Sequence, residues 1–146
     1  VMFHAQNPNS MLRDQDFPIS LELQLLGGNG TDARPTANLC TPGTEVEMGG
    51  IKVQAHCTNS TSETFHGDEW VTVELTVHAD TAVSHLVNGE KVLEYERPTV
   101  GGGSVDGFDD AIKLDGQPLT HGYIALQSES HPIQFRRVLV RRLNGT

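Results

Sequence analysis

An alternation of apolar and polar residues returns along nearly the whole chain, and it constrains the fold more than any other feature of the sequence. Gly, Pro, Asn and Asp interrupt it at short intervals, and no long window keeps a helical period. The strongest single signal is Asn88-Gly89 between VSHLV and EKVLEY, because both residues tolerate the positive φ of a tight hairpin turn. The chain is therefore predicted to be nearly all β, a sandwich or jelly roll of short antiparallel strands.

The strand pattern is carried by residues 1–6, 19–26, 51–57, 70–78, 82–88, 91–96, 122–129 and 133–143. The segment 98–118 is the exception, because PTVGGGSVDGFDDAIKLDGQP has little β pattern. It is predicted to form a long loop or flap with at most one helical turn.

Length and charge bound the class of protein. The chain has 146 residues, the size of one domain, so residues 1–146 are predicted to form a single unit. Its formal net charge of −9 repels phosphate backbones and anionic membranes, which argues against a nucleic-acid partner. No apolar run approaches the roughly 20 residues of a membrane-spanning helix. Because Val1 is no natural initiator, we expect the chain to begin inside a longer protein.

Two cysteines, Cys40 and Cys57, flank two short strand-like runs around a turn at Gly49-Gly50. A hairpin there brings its ends together, which favours a disulfide that would contribute roughly 3 kcal/mol and indicate an oxidising compartment. The spacing is also compatible with two buried thiols. With His56 alongside, a metal site is a third reading, although no CxxC or paired-His spacing supports it.

Polar side chains gather on what should be one sheet face. In ISLELQLLGG the apolar residues alternate with Glu22 and Gln24, so a carboxylate and an amide project side by side. In the opening strand His4 alternates with Phe3 in the same way.

The stretch GYIALQSESHPIQFRRVLVRRL repeats this pattern near the end of the chain. Ile124, Leu126, Ile133 and Phe135 have core character. The apolar parity then switches, which predicts a β-bulge near Arg136-Arg137, a feature that is common beside active sites. Gln127, Glu129, His131 and Arg136 would then cluster around one hairpin. An ordinary solvated sheet face is the alternative, but side chains of these types hydrogen-bond sugar hydroxyls or transfer protons. Trp70 is predicted to be a packing residue rather than a sugar-stacking platform.

Five longer motifs carry a family resemblance. FPISLELQLLGG, RPTANLCTPGTEV, HCTNSTSETFHGDEWVTVEL, HLVNGEKVLEY and GYIALQSESHPIQFRRV resemble, in order, those of the 3-keto-disaccharide hydrolase family. The resemblance implies a concanavalin A-like jelly roll in an exported bacterial protein of the periplasm or cell surface. It also implies further strands before residue 1. Either these are supplied elsewhere or the chain pairs with a second copy as a homodimer.

The activity implied by the resemblance is cleavage of glycosides that carry a ketone at C3 of the sugar. The ketone acidifies the C2 proton, so a base and an acid together can expel the C1 substituent, after which water adds. No cofactor is expected, and the need for a metal stays open. Two alternatives are a lectin-like sugar-binding module without catalysis and a purely structural sandwich domain of a multidomain surface protein, because fold does not fix function.

This chemistry assigns roles to the polar residues. Glu129 or His131 would act as the base, and Arg136 would hold the ketone or a hydroxyl. Glu22 with Gln24 would serve leaving-group protonation and hydroxyl binding. The other expected substrate-binding residues are His4, Arg34, His56 and Gln127.

Overall fold

The computed structural model describes residues 1–129 and 131–143; residues 144–146 of the predicted domain lie outside this range. Ten strands form: β1 (Met2–Ala5), β2 (Leu21–Gln24), β3 (Asn38–Cys40), β4 (Thr44–Met48), β5 (Ile51–Lys52), β6 (Cys57–Thr58), β7 (Val73–His78), β8 (Ala82–Val87), β9 (Glu90–Val100) and β10 (Tyr123–Ala125). A short 3₁₀ turn spans Pro8–Ser10. No helix in the described ranges is long and apolar enough to cross a membrane.

The strands make two antiparallel sheets of five strands each. The front sheet has the order β10-β1-β2-β3-β6, and the back sheet has the order β5-β4-β9-β8-β7. The described part of the chain contains no α-helix. The predicted all-β sandwich is therefore confirmed.

Local turn chemistry sets the hairpins. Asn88 and Gly89 have φ of 50° and 87° and connect β8 to β9, which confirms the hairpin predicted from this dipeptide. Gly49 and Gly50, with φ of 58° and 75°, turn β4 into β5.

The two cysteines lie at the base of that second hairpin. Cys40 on β3 is the direct cross-strand partner of Cys57 on β6, and the two sulfurs form a disulfide. The preferred reading of the sequence is thus confirmed. Between these two residues the chain leaves the front sheet after β3, forms β4 and β5 in the back sheet, and returns to the front sheet at β6. The disulfide therefore closes the loop of chain that connects the two layers.

The core lies between the layers, and its front half was readable from alternation. Leu21 and Leu23 are buried, whereas Glu22 and Gln24 between them are only partly covered. From the back sheet, Val46, Val83, Val92 and Tyr95 meet Phe3, Leu21, Leu23 and Leu39 of the front sheet.

One polar side chain, His85 on β8, is fully buried in this core. A carbonyl oxygen can only accept, so His85 Nδ1 donates to the carbonyl of Ala37 (2.8 Å). In the neutral ring Nε2 then has no proton, so it accepts from the Tyr95 hydroxyl (2.9 Å). Burial lowers the pKa of His85 to about 4. A neutral imidazole therefore links the back sheet to the residue that precedes β3 in the front sheet.

The end of the chain departs from the prediction. Only Tyr123–Ala125 of the segment 122–129 is a strand, and residues 133–143 form none. Ile124, Leu126 and Phe135, predicted to be core residues, are exposed, and Ile124 keeps 58% of its surface. The expected bulge near Arg136 is also absent, although Arg137 has a positive φ of 53°. Alternation makes a segment able to pair, but a strand forms only where a neighbour completes its hydrogen bonds.

The segment 98–118 is more ordered than a free flap. Strand β9 extends into it as far as Val100, four residues beyond the predicted end of that strand. Val100 and Val105 are buried in the core, and Phe108 and Ile112 pack against it. The segment is a loop, as predicted, but its apolar residues fasten it to the sandwich.

Candidate functional site

A row of side chains crosses the front sheet on the face that points away from the core. Cross-strand pairing aligns Ala125, Met2, Glu22, Cys40 and Cys57 on β10, β1, β2, β3 and β6. Glu22 lies on the central strand of the five. The register of four strand pairs thus places an acidic group at the middle of this face, with the disulfide beside it.

Two neighbouring cavities open on this face, with volumes of ≈ 220 and ≈ 210 Å³. We call them cavity 1 and cavity 2. Cavity 1 is lined by Val1, Glu22, Gln24, Leu25, Leu26, Arg34, Gln127, Ser128, Glu129, His131 and Ile133. Cavity 2 is lined by Phe17, Glu22, Gln24, Cys40, Pro42, His56, Cys57 and Glu129. Three residues, Glu22, Gln24 and Glu129, belong to both linings and mark the junction between the cavities.

Glu22 is half-buried at this junction. Burial raises the pKa of its carboxyl group, and the nearby carboxylate of Glu129 adds to the shift. The proton of Glu22 is therefore held more tightly than that of an ordinary glutamate. A carboxyl group of this kind is suited to donating a proton.

The segment after β10 brings its polar residues to cavity 1 without forming a strand. The Gln127 amide nitrogen donates to the Glu129 carboxylate (3.1 Å), which leaves the buried Gln127 Oε1 without a hydrogen-bond partner among the described residues. His131 Nδ1 donates to the Glu129 carbonyl (2.7 Å), so in the neutral ring Nε2 is the acceptor. Two acceptors and one carboxylate thus stand beside the cavity.

Neighbouring residues hold Gln24 and Arg34 in place. The Asn38 amide donates to Gln24 Oε1 (3.2 Å), and Asn38 in turn accepts from the backbone N–H of Ser60. Arg34 Nε donates to the Gly27 carbonyl (3.0 Å), which directs the guanidinium toward cavity 1. Cavity 1 therefore contains a cationic group held in place by the backbone.

The third reading of the cysteines, a metal site, conflicts with this structure. Atoms of Cys40, His56 and Cys57 that could ligate a metal lie within 4.8 Å of one another. Both sulfurs, however, are bonded to each other and are not thiolates. His56 instead lines cavity 2 as an exposed side chain.

The structure brings most of the expected site residues together and leaves two apart. Glu22, Gln24, Arg34, His56, Gln127, Glu129 and His131 all line one or both cavities. His4 lines neither, because its positive φ of 47° interrupts the alternation of β1. Arg136 also lines neither; its guanidinium lies 4.0 Å from the ring centroid of Trp70, which is half exposed.

In cavity 2, two lining residues, Phe17 and Pro42, were not predicted from the sequence. Both lie outside the strands, in segments that precede β2 and β4. An apolar residue in a connection gives no sign of the cavity it will face. Only the folded chain places them beside the disulfide.

These features define a class: a β-sandwich domain with a polar cleft on one sheet and two carboxyl groups at its centre, suited to a ligand rich in hydroxyl groups. Residues 1–141 match the family described as 3-keto-alpha-glucoside-1,2-lyase-like domain, and the chain belongs to this family. The family resemblance seen in the motifs is thereby confirmed, and the family is a glycoside-processing one. No curated protein and no solved structure matches the chain.

Proposed function

We propose that the protein cleaves 3-keto-glycosides by eliminating the C1 substituent and then adding water. The observation that carries this proposal is the pair of carboxyl groups of Glu22 and Glu129 at the junction of the two cavities. The pKa of the Glu22 carboxyl group is raised. The family description, which names a 1,2-lyase of 3-keto-glucosides, supports the same chemistry.

In the first step Glu129 takes the C2 proton of the sugar. The electron pair of the C2–H bond forms the C1=C2 double bond by way of an enolate at the C3 ketone. The bond from C1 to the leaving oxygen breaks, and Glu22 gives that oxygen its proton. The products are the free alcohol and an unsaturated 3-keto-sugar, to which water adds across the double bond. Oxidation level is conserved, so the chemistry requires no redox cofactor.

The remaining residues of cavity 1 stabilise the enolate and orient the sugar. Arg34 takes the role that the sequence had assigned to Arg136, because Arg34 lines the cavity and Arg136 stacks on Trp70. A positive charge beside the developing enolate oxygen lowers the barrier. Gln127 Oε1 accepts from a sugar hydroxyl, and this bond would satisfy its buried acceptor. His131 Nε2 accepts from a second hydroxyl.

The direct test is product formation from 3-keto-glucosides and from their unoxidised parents. We expect product from the oxidised compounds alone, and a fall of about 10²-fold or more in kcat for both Glu22→Gln and Glu129→Gln. Glu90→Gln, at the exposed start of β9, is the control. Near-normal turnover by both cleft variants would end the assignment.

Deuterium exchange separates the two roles. In heavy water Glu22→Gln should still exchange the C2 proton of a 3-keto-glucoside, because the base is intact. Glu129→Gln should lose this exchange. If Glu129→Gln keeps it and His131→Gln loses it, His131 is the base.

A sugar-binding module without catalysis remains the competing function. Against it, Phe17 is the one aromatic side chain in the linings of the two cavities, whereas lectin-like recognition commonly stacks sugars on aromatic rings. Binding of unoxidised glycans with no product from any 3-keto substrate would favour the module.

We also propose that the protein is exported by a bacterium to the periplasm or the cell surface. The Cys40–Cys57 disulfide supports this proposal, because such bonds persist in oxidising compartments. Thiol labelling of the full-length protein in intact cells tests it: labelling of both cysteines without a reductant would contradict export.

A further inference from the structure

Beyond the three junction residues, cavity 2 has no part in the proton transfers described above, and its lining differs there from that of cavity 1. Apart from the three junction residues, it consists of Phe17, Cys40, Pro42, His56 and Cys57. Pro42 and Cys40 are buried and Phe17 is half-buried, so the floor is a proline ring, a disulfide and part of a phenyl ring. These three groups give the lining an apolar part, and His56 adds a polar group at its exposed rim.

The cavity begins at the catalytic carboxyl group. Glu22, Cys40 and Cys57 are successive cross-strand neighbours on β2, β3 and β6. Adjacent strands lie roughly 4.8 Å apart, so the floor extends about 10 Å from Glu22 to the edge of the sheet. A group bound over the disulfide would thus be directly next to the proton of Glu22.

The position of the keto-sugar fixes what can reach this place. Arg34, which would stabilise the enolate oxygen, lines cavity 1 and not cavity 2. The oxidised ring therefore belongs in cavity 1, with its C1–O bond at the junction between Glu22 and Glu129. The C1 substituent must then leave the junction through cavity 2. At ≈ 210 Å³ the cavity is smaller than the roughly 300 Å³ at which sites for drug-sized ligands begin, so it suits a single ring.

We propose that cavity 2 is the leaving-group subsite and that it selects a C1 substituent consisting of one ring with an apolar face. This inference rests on the proposed function. An aryl group and the C–H face of a second sugar share this chemistry, and both would pack on Phe17, Pro42 and the disulfide. His56 and Gln24 would bond polar groups at the edge of the ring.

The test compares 3-keto-glucosides whose C1 substituents are methyl, phenyl and glucosyl. His56→Trp fills the rim of cavity 2, and Gln54→Trp, also exposed and outside both linings, is the matched control. For His56→Trp we expect the ratio of kcat/KM for the phenyl or glucosyl substrate to that for the methyl substrate to fall at least about tenfold. For Gln54→Trp this ratio should stay that of the unaltered protein.

The ring substrate with the larger loss identifies the natural leaving group. If His56→Trp leaves these ratios unchanged, including the case in which kcat/KM falls equally for all three substrates, cavity 2 is not the leaving-group subsite. Phe17→Ala gives a second measure, because removing the floor should raise KM for the ring substrates more than for the methyl one.

Failure of the proposed function is distinguishable from failure of the subsite. If the unaltered protein gives no product from any of the three compounds, the elimination chemistry is wrong. Ring binding is then decided by saturation-transfer NMR with unoxidised phenyl glucoside. Transfer to the phenyl protons that His56→Trp abolishes and Gln54→Trp preserves supports a ring-binding site; absence of transfer overturns it.

Discussion

At the scale of single residues, the burial of Glu22 suits its proposed chemistry but lowers the stability of the fold when its carboxyl group ionises. Folding places its carboxyl group half-buried, and burial raises its pKa above the ordinary value of 4.5. Between these two pKa values the folded state binds more protons than the unfolded state, so stability falls as the pH rises through that window. Above this window the ionised form of Glu22 therefore lowers stability.

We accordingly expect Glu22→Gln to raise Tm at pH 7 while it removes turnover. Glutamine keeps the shape but never ionises, so the gain should shrink as the pH is lowered below about 4.5, where Glu22 is also neutral. Thermal melts at both pH values check this, with Glu90→Gln as the exposed control. A lower Tm at pH 7 would show that the carboxylate is structurally required.

His85 predicts a pH dependence of the opposite sign. Its pKa is lowered from 6.5 to about 4 because the ring is buried, so the unfolded state binds more protons between these values. Its contribution to stability is complete above pH 6.5 and is lost as the pH falls toward 4. A shift of this size corresponds to at most about 3 kcal/mol.

The measurement is urea unfolding at several pH values between 7 and 4, for the unaltered protein and for His85→Gln. The variant should be less stable at pH 7 but should lose less stability on acidification. Tyr95→Phe removes the hydroxyl that donates to Nε2 and should cost roughly 1–3 kcal/mol. Identical pH slopes for His85→Gln and the unaltered protein would contradict a buried neutral imidazole.

At the scale of elements, the docking of β10 determines whether the catalytic segment reaches the cleft. A Cβ added to Gly122 would overlap the backbone carbon of His4 and would lie 2.8 Å from the backbone nitrogen of Ala5. Strand β10 must therefore move away from β1 in any variant with a side chain at this position. The residues that follow β10 and line cavity 1 would move with it; these are Gln127, Ser128, Glu129, His131 and Ile133.

We expect Gly122→Ala to lower stability by about 1–3 kcal/mol, as overpacking does, and to lower kcat/KM as well. Gly103→Ala is the matched control, because a Cβ there meets nothing within 4 Å. Urea unfolding and turnover of a 3-keto-glucoside are the two readouts. Loss of stability with unchanged kcat/KM would show that turnover does not depend on β10 positioning Glu129 and His131 at the cleft.

At the scale of the whole molecule, apolar surface gathers at one end of the chain. Val138, Leu139 and Val140 are exposed, with 86% of the Leu139 surface accessible, and the edge strand β10 is exposed on both faces. Exposed apolar patches and free strand edges favour association. The homodimer expected from the sequence remains a prediction, and this surface is where we place it.

Concentration-dependent self-association should therefore be seen by analytical ultracentrifugation. Leu139→Lys is expected to weaken it, because a charge would be buried in the interface. Leu114→Lys is the control, since Leu114 is also exposed but lies in the segment 98–118. A monomer at all concentrations, or equal effects of both variants, would contradict this location.

The sequence by itself determined those features that depend on near neighbours. Alternation identified the core face of β2, Asn88-Gly89 identified the β8–β9 hairpin, and the Gly49-Gly50 turn indicated that Cys40 and Cys57 could meet. It also placed Glu22 and Gln24 on one surface. These inferences hold because a period of two and the φ of a turn residue are local properties.

Only the tertiary structure decided which polar residues converge. Residues 133–143 alternate as a strand would, yet no described strand pairs with them, and Arg136 contacts Trp70 instead of the cleft. Arg34 reaches cavity 1 because its guanidinium bonds the Gly27 carbonyl, and Phe17 and Pro42 reach cavity 2 from connections without pattern. Strand pairing and the convergence of side chains depend on segments far apart in the chain. Local alternation therefore limits which pairings are possible but does not determine which of them forms.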